Sequence, residues 1–452
     1  MNIIIAGCGN IGRTLAEQLN AEGHDITVID NRQSAVEIVT SADEALGIVG
    51  NITSLSVLED AGVKSADILI AVTGNDELNL LACLMARKSG CRSTIARVEN
   101  PDYNGRQIGF LKEELGLSMV VNPHRAAARE VGRLLKYPSA LRVESFAKSR
   151  VEIITFKLDE KSILCGLSLK DMAVKLKCDV LISLVTRGEE VIIPGGDFVM
   201  KEKDEISVVG AEEKMVHFLK ILKLPTASAR DIMIAGGGRM AFYLAQEMLG
   251  MGVSVKLIER DDERCRGLSE LLPRATIIHG DATEKNLLLE EGLIDTNAFI
   301  SATDFDEENI MLSLYAKSIS KARCITRIHR VSYENLLDKL EVGSTIYPKN
   351  ITAEHIIKYV RAMKNSLGSN IETLYRLHDN KVEALEFLIR EESAVTEKPL
   401  SELKLKKGVL VVCVTRKGQF SLARGNTRIG MGDTVIVMTT NSGITDIKDI
   451  LR

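Results

Sequence analysis

The chain has 452 residues, 45% of them hydrophobic, with a net charge of −4 and 4% aromatic residues; it can bury several cores, and it offers no basic-aromatic surface for nucleic acid. Its longest apolar runs, such as Ile68-Leu69-Ile70-Ala71-Val72, fall far short of the roughly 20 residues that cross a bilayer, and Met1 leads straight into a strand with no basic leader, so a cytosolic location is expected. The eight cysteines include no Cys-x-x-Cys pair and the seven histidines are scattered, which reads as reduced core thiols and no metal site.

The first stretch, Asn2-Ile3-Ile4-Ile5-Ala6, reads as a buried strand running into Gly7-Cys8-Gly9-Asn10-Ile11-Gly12 and then a helix. Strand, glycine turn and helix start form a diphosphate cradle, because the turn lets backbone approach the ligand and the first N–H groups of the helix face it. A second strand, 25–29, ends in Asp30 at about the twenty-residue distance at which a carboxylate meets the adenosine ribose. Strands at 45–49 and 66–72, separated by a helix at 54–61, end in Gly50-Asn51-Ile52-Thr53 and Thr73-Gly74-Asn75-Asp76. Alternating strands and helices imply right-handed crossovers and a parallel sheet, so Asn51, Thr73 and Gly74 converge with the loop and Asp30 on one crevice.

A helix at 76–88 follows, with Leu80, Leu81, Leu84 and Met85 as its core face. The strand 93–98 carries Arg97 in an apolar setting, where it needs either the ligand phosphate or a carboxylate such as Glu99 or an acid of the adjoining helix. After a strand at 117–121 and Asn122-Pro123, the helix 124–136 before Pro138 reads as a connector. From 143 to 224 the pattern becomes short strands (151–156, 179–185, 205–209) and one helical piece (168–175), a small α+β domain without a phosphate loop. It reads as scaffold or dimerisation surface, with a ligand cleft as the alternative.

Beyond a linker at 224–230 the chain repeats. Offsets of 229 relate Gly7 to Gly236 and Asp30 to Glu259, and offsets of 230 relate Gly50 to Gly280, Thr73 to Thr303, Asn79 to Asn309, Arg97 to Arg327 and Tyr103 to Tyr333. The small domain repeats too, Asp204 with Asp433 and Gly196 with Gly425. The fold class is therefore α/β, two tandem copies of a Rossmann-like doubly wound parallel sheet, each followed by a small α+β domain, with bounds 1–123, 140–225, 230–348 and 368–452. The second loop reads Gly236-Gly237-Gly238-Arg239-Met240-Ala241, and Arg239 is either a phosphate ligand or a solvated helix-start residue. With an acid at both ribose positions, NAD(H) or an adenine nucleotide is preferred over NADP. Cys8 reads as a loop filler rather than a redox centre.

In order and twice over, these motifs resemble the domains that regulate potassium conductance (RCK domains), in the tandem form found in Trk potassium uptake systems. The carrying residues are the first loop with Asp30, the run from Ala71 through Thr73, Gly74 and Asp76 to Asn79, Ile95-Ala96-Arg97 and Asn122-Pro123. In the second copy they are His279-Gly280-Asp281-Ala282-Thr283, Ala302-Thr303, Asp306 to Asn309, and Thr326-Arg327. Asn51 departs from the pattern, since the aspartate usual there stands only in the second copy, as Asp281. The resemblance implies a cytosolic regulatory subunit, peripheral on the inner face of the plasma membrane, binding NAD(H) and also ATP or ADP. It further implies a homodimer or homotetramer that gates a separate membrane-embedded potassium-translocating subunit, without catalysis. An NAD-dependent oxidoreductase and a nucleotide-sensing regulator of another transporter are the alternatives.

Overall fold

The computed structural model describes all residues except 43, 104–105, 138, 147–150, 177, 189, 225–228, 330–336, 338–339, 341, 367–370, 378–380, 397, 417–418, 442–443 and 445. Pro138, Tyr333 and most of the expected linker therefore lie outside the described residues.

The first sheet is built from β1 (Asn2–Ala6), β2 (Asp25–Asp30), β3 (Ala45–Val49), β4 (Ile68–Ala71), β5 (Ser93–Arg97) and β6 (Met119–Val121), in the order β3-β2-β1-β4-β5-β6 and parallel throughout. Central strands β1 and β4 are apolar on both faces because helices cover both; the edge strand β3 leaves Leu46 and Val49 exposed. Helices α1 (Asn10–Ala21), α2 (Gln33–Ala42), α3 (Leu55–Asp60) and α4 (Asp76–Lys88) make the crossovers. α4 is locally well specified: Asn75 caps it by accepting the Leu78 N–H at 2.7 Å, acids occupy its first turn, and Arg87 and Lys88 its last. A further helix, α5 (Arg106–Glu114), was not expected from the sequence, since it carries little apolar periodicity; Ile108 and Leu111 pack on the core while Phe110 stays exposed.

The helix that reads as a connector does more than connect. In α6 (Pro123–Lys136), Ala127, Ala128, Val131, Leu134 and Leu135 are buried in the core of the second sheet's domain, beside Met240, Leu244 and Met248. Burial of Val131, Leu134 and Leu135 contributes about 1.5–3 kcal/mol each, so the first half donates a core helix to the second.

The small domain that follows contains β7 (Arg142–Phe146), β8 (Val151–Lys157), α7 (Leu169–Leu176), β9 (Leu181–Arg187), β10 (Glu190–Ile192), β11 (Glu205–Gly210) and α8 (Glu212–Ile221). Its sheet, β10-β9-β11-β8-β7, is antiparallel. β7, β10 and α8 are additions to the sequence reading: β10 is a three-residue edge strand, and α8 starts at Ala211 with no capping side chain.

The second parallel sheet has the same order, β14-β13-β12-β15-β16-β17, from β12 (Asp231–Ala235), β13 (Ser254–Glu259), β14 (Thr276–His279), β15 (Ala298–Ser301), β16 (Arg323–Arg327) and β17 (Ser344–Ile346). Its helices are α9 (Arg239–Gly250), α10 (Asp262–Leu271), α11 (Lys285–Glu290), α12 (Asp306–Ile319) and α13 (Pro348–Ser366). The last sheet comprises β18 (Ile371–Leu377), β19 (Val382–Leu388), β20 (Val409–Arg416), β21 (Gln419–Leu422) and β22 (Thr434–Thr439), in the order β18-β19-β22-β20-β21.

The chain forms two compact units that combine like with like: Met1–Leu135 with Ala229–Ile357, and Lys136–Ser228 with Lys358–Arg452. In the first, the two parallel-sheet domains share the α6 contact. In the second, Ile153, Leu184 and Val209 of one antiparallel sheet are buried against Ala384, Val412 and Met438 of the other. These small-domain faces thus cover each other within one chain, which supplies the scaffold role.

Candidate functional site

In each copy the crevice lies where the strand order reverses, between β1 and β4 or between β12 and β15. The first loop leaves β1 through Gly7 at φ +110, where an added Cβ would sit 3.0 Å from the Thr73 nitrogen; a Cβ at Gly12 would fall 1.9 Å from the Gly7 oxygen. Both glycines are required by packing. Gly9 and Gly74 are different, because a Cβ at either meets nothing within 4 Å. Nothing in the described chain needs glycine there, so the open backbone is available to a ligand. Gly9 is the extended N-cap of α1 and no side chain caps that helix, which leaves Asn10 at an anion-facing end. Cys8 and Ile11 are buried, so the loop presents their main chain rather than their side chains. Burial, and then the Asp30 charge, pushes the Cys8 thiol up to about 11, as befits a packed thiol.

Asp30 braces the loop. Its carboxylate accepts the Cys8 N–H at 2.8 Å and the Arg32 N–H at 3.0 Å, and Arg32 Nε lies 3.2 Å away. Burial acts to raise its pKa, but the Arg32 and Cys8 hydrogen bonds outweigh that and lower it, so Asp30 is ionised in the fold. Glu259 braces the second loop with the same pair of bonds, accepting the Gly237 N–H at 2.7 Å and the Asp261 N–H at 3.0 Å. Asn51 and Asp281 also share one geometry: each Oδ1 accepts the N–H and hydroxyl of the threonine two residues on, Thr53 at 3.0 and 2.9 Å, Thr283 at 2.8 and 2.7 Å. The departure at Asn51 therefore keeps the turn and loses only the charge.

Thr73 and Thr303 follow the central strands and are held by asparagines outside the expected set. Asn79 is fully buried; its Oδ1 accepts from Thr73 N and Oγ1 at 3.0 and 2.7 Å, and its Nδ2 donates to the Thr73 and Arg97 carbonyls at 3.1 and 2.9 Å. Asn309 holds Thr303 and the Arg327 carbonyl at 2.8–3.1 Å. The repeated 230-residue offset was the signal for this pair.

The arginines part company. Arg97 pairs with Glu99 through Nε at 2.8 Å and through Nη2, which is the carboxylate alternative of the sequence reading. Arg327, 7% exposed, donates to the Ala302 carbonyl at 3.3 Å and to His329 Nε2 at 2.7 Å, while Asp304 stands 3.8 Å off and Nε has no hydrogen-bond partner. Its Nη1 is the nearest group to the space above Gly238. Since a guanidinium cannot accept, His329 is the acceptor and donates through Nδ1 to Asp306 at 2.9 Å. Arg239, first residue of α9, reaches Glu99 of the first copy at 3.0 Å and is therefore not merely solvated; Met240 beneath it is buried. Gly236, at φ +101, lies against the Ala302 carbonyl.

The second crevice encloses about 380 Å³, within the range of small-molecule sites. It is lined by residues 236–238, 258–261, 264, 280–282, 302–305 and 308, an acid-rich rim around a glycine floor. Among the described residues, no helix is long and apolar enough to cross a membrane and no cluster of side chains could hold a metal ion.

Two loop-and-acid crevices on doubly wound sheets, each half completed by a small antiparallel domain, define a tandem nucleotide-binding-fold protein of the RCK class. The TrkA-N domain family matches residues 3–123 and 232–348, and the TrkA-C domain family residues 153–223 and 384–452. The chain is 34% identical over 453 residues to a Trk system potassium uptake protein TrkA homolog of Archaeoglobus fulgidus, covering 100% of both chains. It is 30% identical over 459 residues to the TrkA protein of Haemophilus influenzae, covering 100% of this chain and 99% of the other. Among solved structures, a GsuK channel bound to NAD aligns over 97% of this chain and 77% of its own, at TM-score 0.64 and 19% identity, a likeness of fold. The chain belongs to the family of Trk system potassium uptake proteins TrkA, and so to potassium transport.

Proposed function

We propose that this protein is the cytosolic, peripheral regulatory subunit of a potassium uptake system, binding NAD(H), with ATP or ADP as adenine alternatives, and gating a separate membrane-embedded potassium-translocating subunit as a homodimer or homotetramer. The observation that carries the reading is the loop braced by an acidic side chain, Cys8 N to Asp30 at 2.8 Å and Gly237 N to Glu259 at 2.7 Å, present twice in a chain of this family. The open backbone at Gly9 and Gly74 suits a diphosphate, and the acids at the ribose position disfavour a 2′-phosphate. In this reading residues 7–12, Asp30, Asn51, Thr73, Gly74 and Arg97 form the first site, and residues 236–240, Glu259, Asp281, Thr303 and Arg327 the second. A nucleotide shifts the gate only by binding one conformation of the assembly more tightly than another, and a few kcal/mol is ample.

The test is calorimetric titration with NADH, NAD, NADPH, ATP and ADP, with a hydride-transfer assay on the same sample. NADH or adenine-nucleotide binding without turnover supports the proposal. Preference for NADPH, or turnover of a small substrate, overturns it.

A further inference from the structure

Glu99 lies just past β5 of the first sheet, and its side chain is 15% exposed. Three basic side chains meet it: Arg97 from its own strand, His124 of α6 at 3.4 Å, and Arg239 from the second glycine loop at 3.0 Å. Burial would raise its pKa, yet the His124 hydrogen bond and the Arg97 charge bring the carboxyl down to about 2, so it is an anion at neutral pH. The Glu99 charge also acts on Arg327 in the second crevice. In the other half the equivalent position holds His329, which offers Arg327 no negative charge.

We propose that Glu99 couples the two crevices negatively, as the one partly buried counter-ion that Arg97 of the first crevice and Arg239 of the second loop share. The inference rests on the nucleotide reading above. Arg239 is the first residue of α9, beside the N-cap Gly238, and its side chain is 49% exposed, so a phosphate on that loop competes directly with Glu99 for it. A phosphate in the first crevice competes in the same way for Arg97. The first anion to arrive takes one arginine and leaves Glu99 paired with the other. A second anion strips the remaining arginine and leaves a largely covered carboxylate with His124 alone, which costs more than the first removal. Each ligand therefore weakens the other, and by linkage the effect is reciprocal.

The experiment is calorimetric titration of the full chain with NADH, the second-crevice step being the one that Glu259→Ala abolishes. With Glu99 present, Asp30→Ala, which disables the first crevice, tightens that step about tenfold. In a Glu99→Gln background the same change moves it less than about twofold. Arg239→Gln, at a half-exposed position, abolishes the coupling in the same way and serves if Glu99→Gln fails to melt cooperatively. A second-crevice affinity that ignores Asp30→Ala overturns the coupling and leaves nucleotide sensing intact. No NADH step at all overturns both.

Discussion

The carboxylate of Glu259 accepts the Gly237 N–H at 2.7 Å and, with Leu268, fills the space that a side chain at 237 would occupy, since a Cβ there would lie 2.7 Å from Glu259 Oε2 and 2.8 Å from Leu268 Cδ1. The first copy solves the same problem with a shorter acid and a larger neighbour, Asp30 and Cys8, keeping the bond at 2.8 Å. The pairs are compensating, which predicts that Gly237→Cys alone destabilises the second domain by about 1–3 kcal/mol through overpacking. Adding Glu259→Asp relieves the carboxylate contact but not the Leu268 one, and so restores part of it. Thermal melts of the two variants check this, and a double variant no more stable than Gly237→Cys would show that the acid's length does not set the residue at 237.

Asn79 holds the end of β4 to the end of β5 with every polar atom of its amide engaged and no exposure. Asn79→Ala leaves the half-buried Thr73 N–H and carbonyl with fewer partners and opens a gap at a fully buried position, and is expected to cost about 1–3 kcal/mol. Asn79→Asp keeps the acceptor but removes both donated bonds and buries a charge, so it should be at least as damaging. Denaturant unfolding measures both, and a loss below about 0.5 kcal/mol for the alanine would mean that the threonine turn holds itself.

What was legible in the sequence was local or periodic. The strand into Gly7-Cys8-Gly9, the acid at Asp30, and helix α4 follow from short-range patterns, and the 229–230 offset carried them to the second half. What was not legible depends on contacts between distant segments. Arg239 meets a carboxylate 140 residues away, so either of its local readings was equally natural. The apolar face of α6 shows in the sequence, but the other copy that it covers does not. Helix α5 was passed over because so few of its residues face a core.

Arg327 and His329 give the second crevice a pH dependence. Burial, and then the Arg327 charge, lowers the His329 pKa below its ordinary value, and Asp306 offsets this only in part. The unfolded chain therefore binds this proton more readily than the fold does. The neutral imidazole contributes stability that is complete above the unfolded pKa, about 6.5, and is lost as pH falls below it toward the folded value. His329→Gln keeps an acceptor for Arg327 and does not titrate. Melting temperatures from pH 7.5 to 5.5 should fall more steeply for the natural protein than for the variant; parallel curves would remove His329 as a source of the dependence.

In the first crevice, Arg32 is held by Asp30 through its N–H at 3.0 Å and its Nε at 3.2 Å, with a side chain 64% exposed. In the proposed site, ionised Asp30 would accept from ribose hydroxyls and repel a 2′-phosphate. Removing the carboxylate reverses both effects at once, because Arg32 is then released toward the same place, where a guanidinium accommodates the phosphate. Asp30→Ala is thus expected to weaken NADH at the first crevice about tenfold or more, while NADPH changes little or improves, so that the NADH-to-NADPH preference there collapses. Asp30→Ala with Arg32→Ala should lose NADH equally and gain nothing for NADPH. Titrating both nucleotides onto the two variants in a Glu259→Ala background, which silences the second crevice, separates the contributions. If Asp30→Ala weakens NADH and NADPH by the same factor, the carboxylate only braces the loop and takes no part in choosing the ribose.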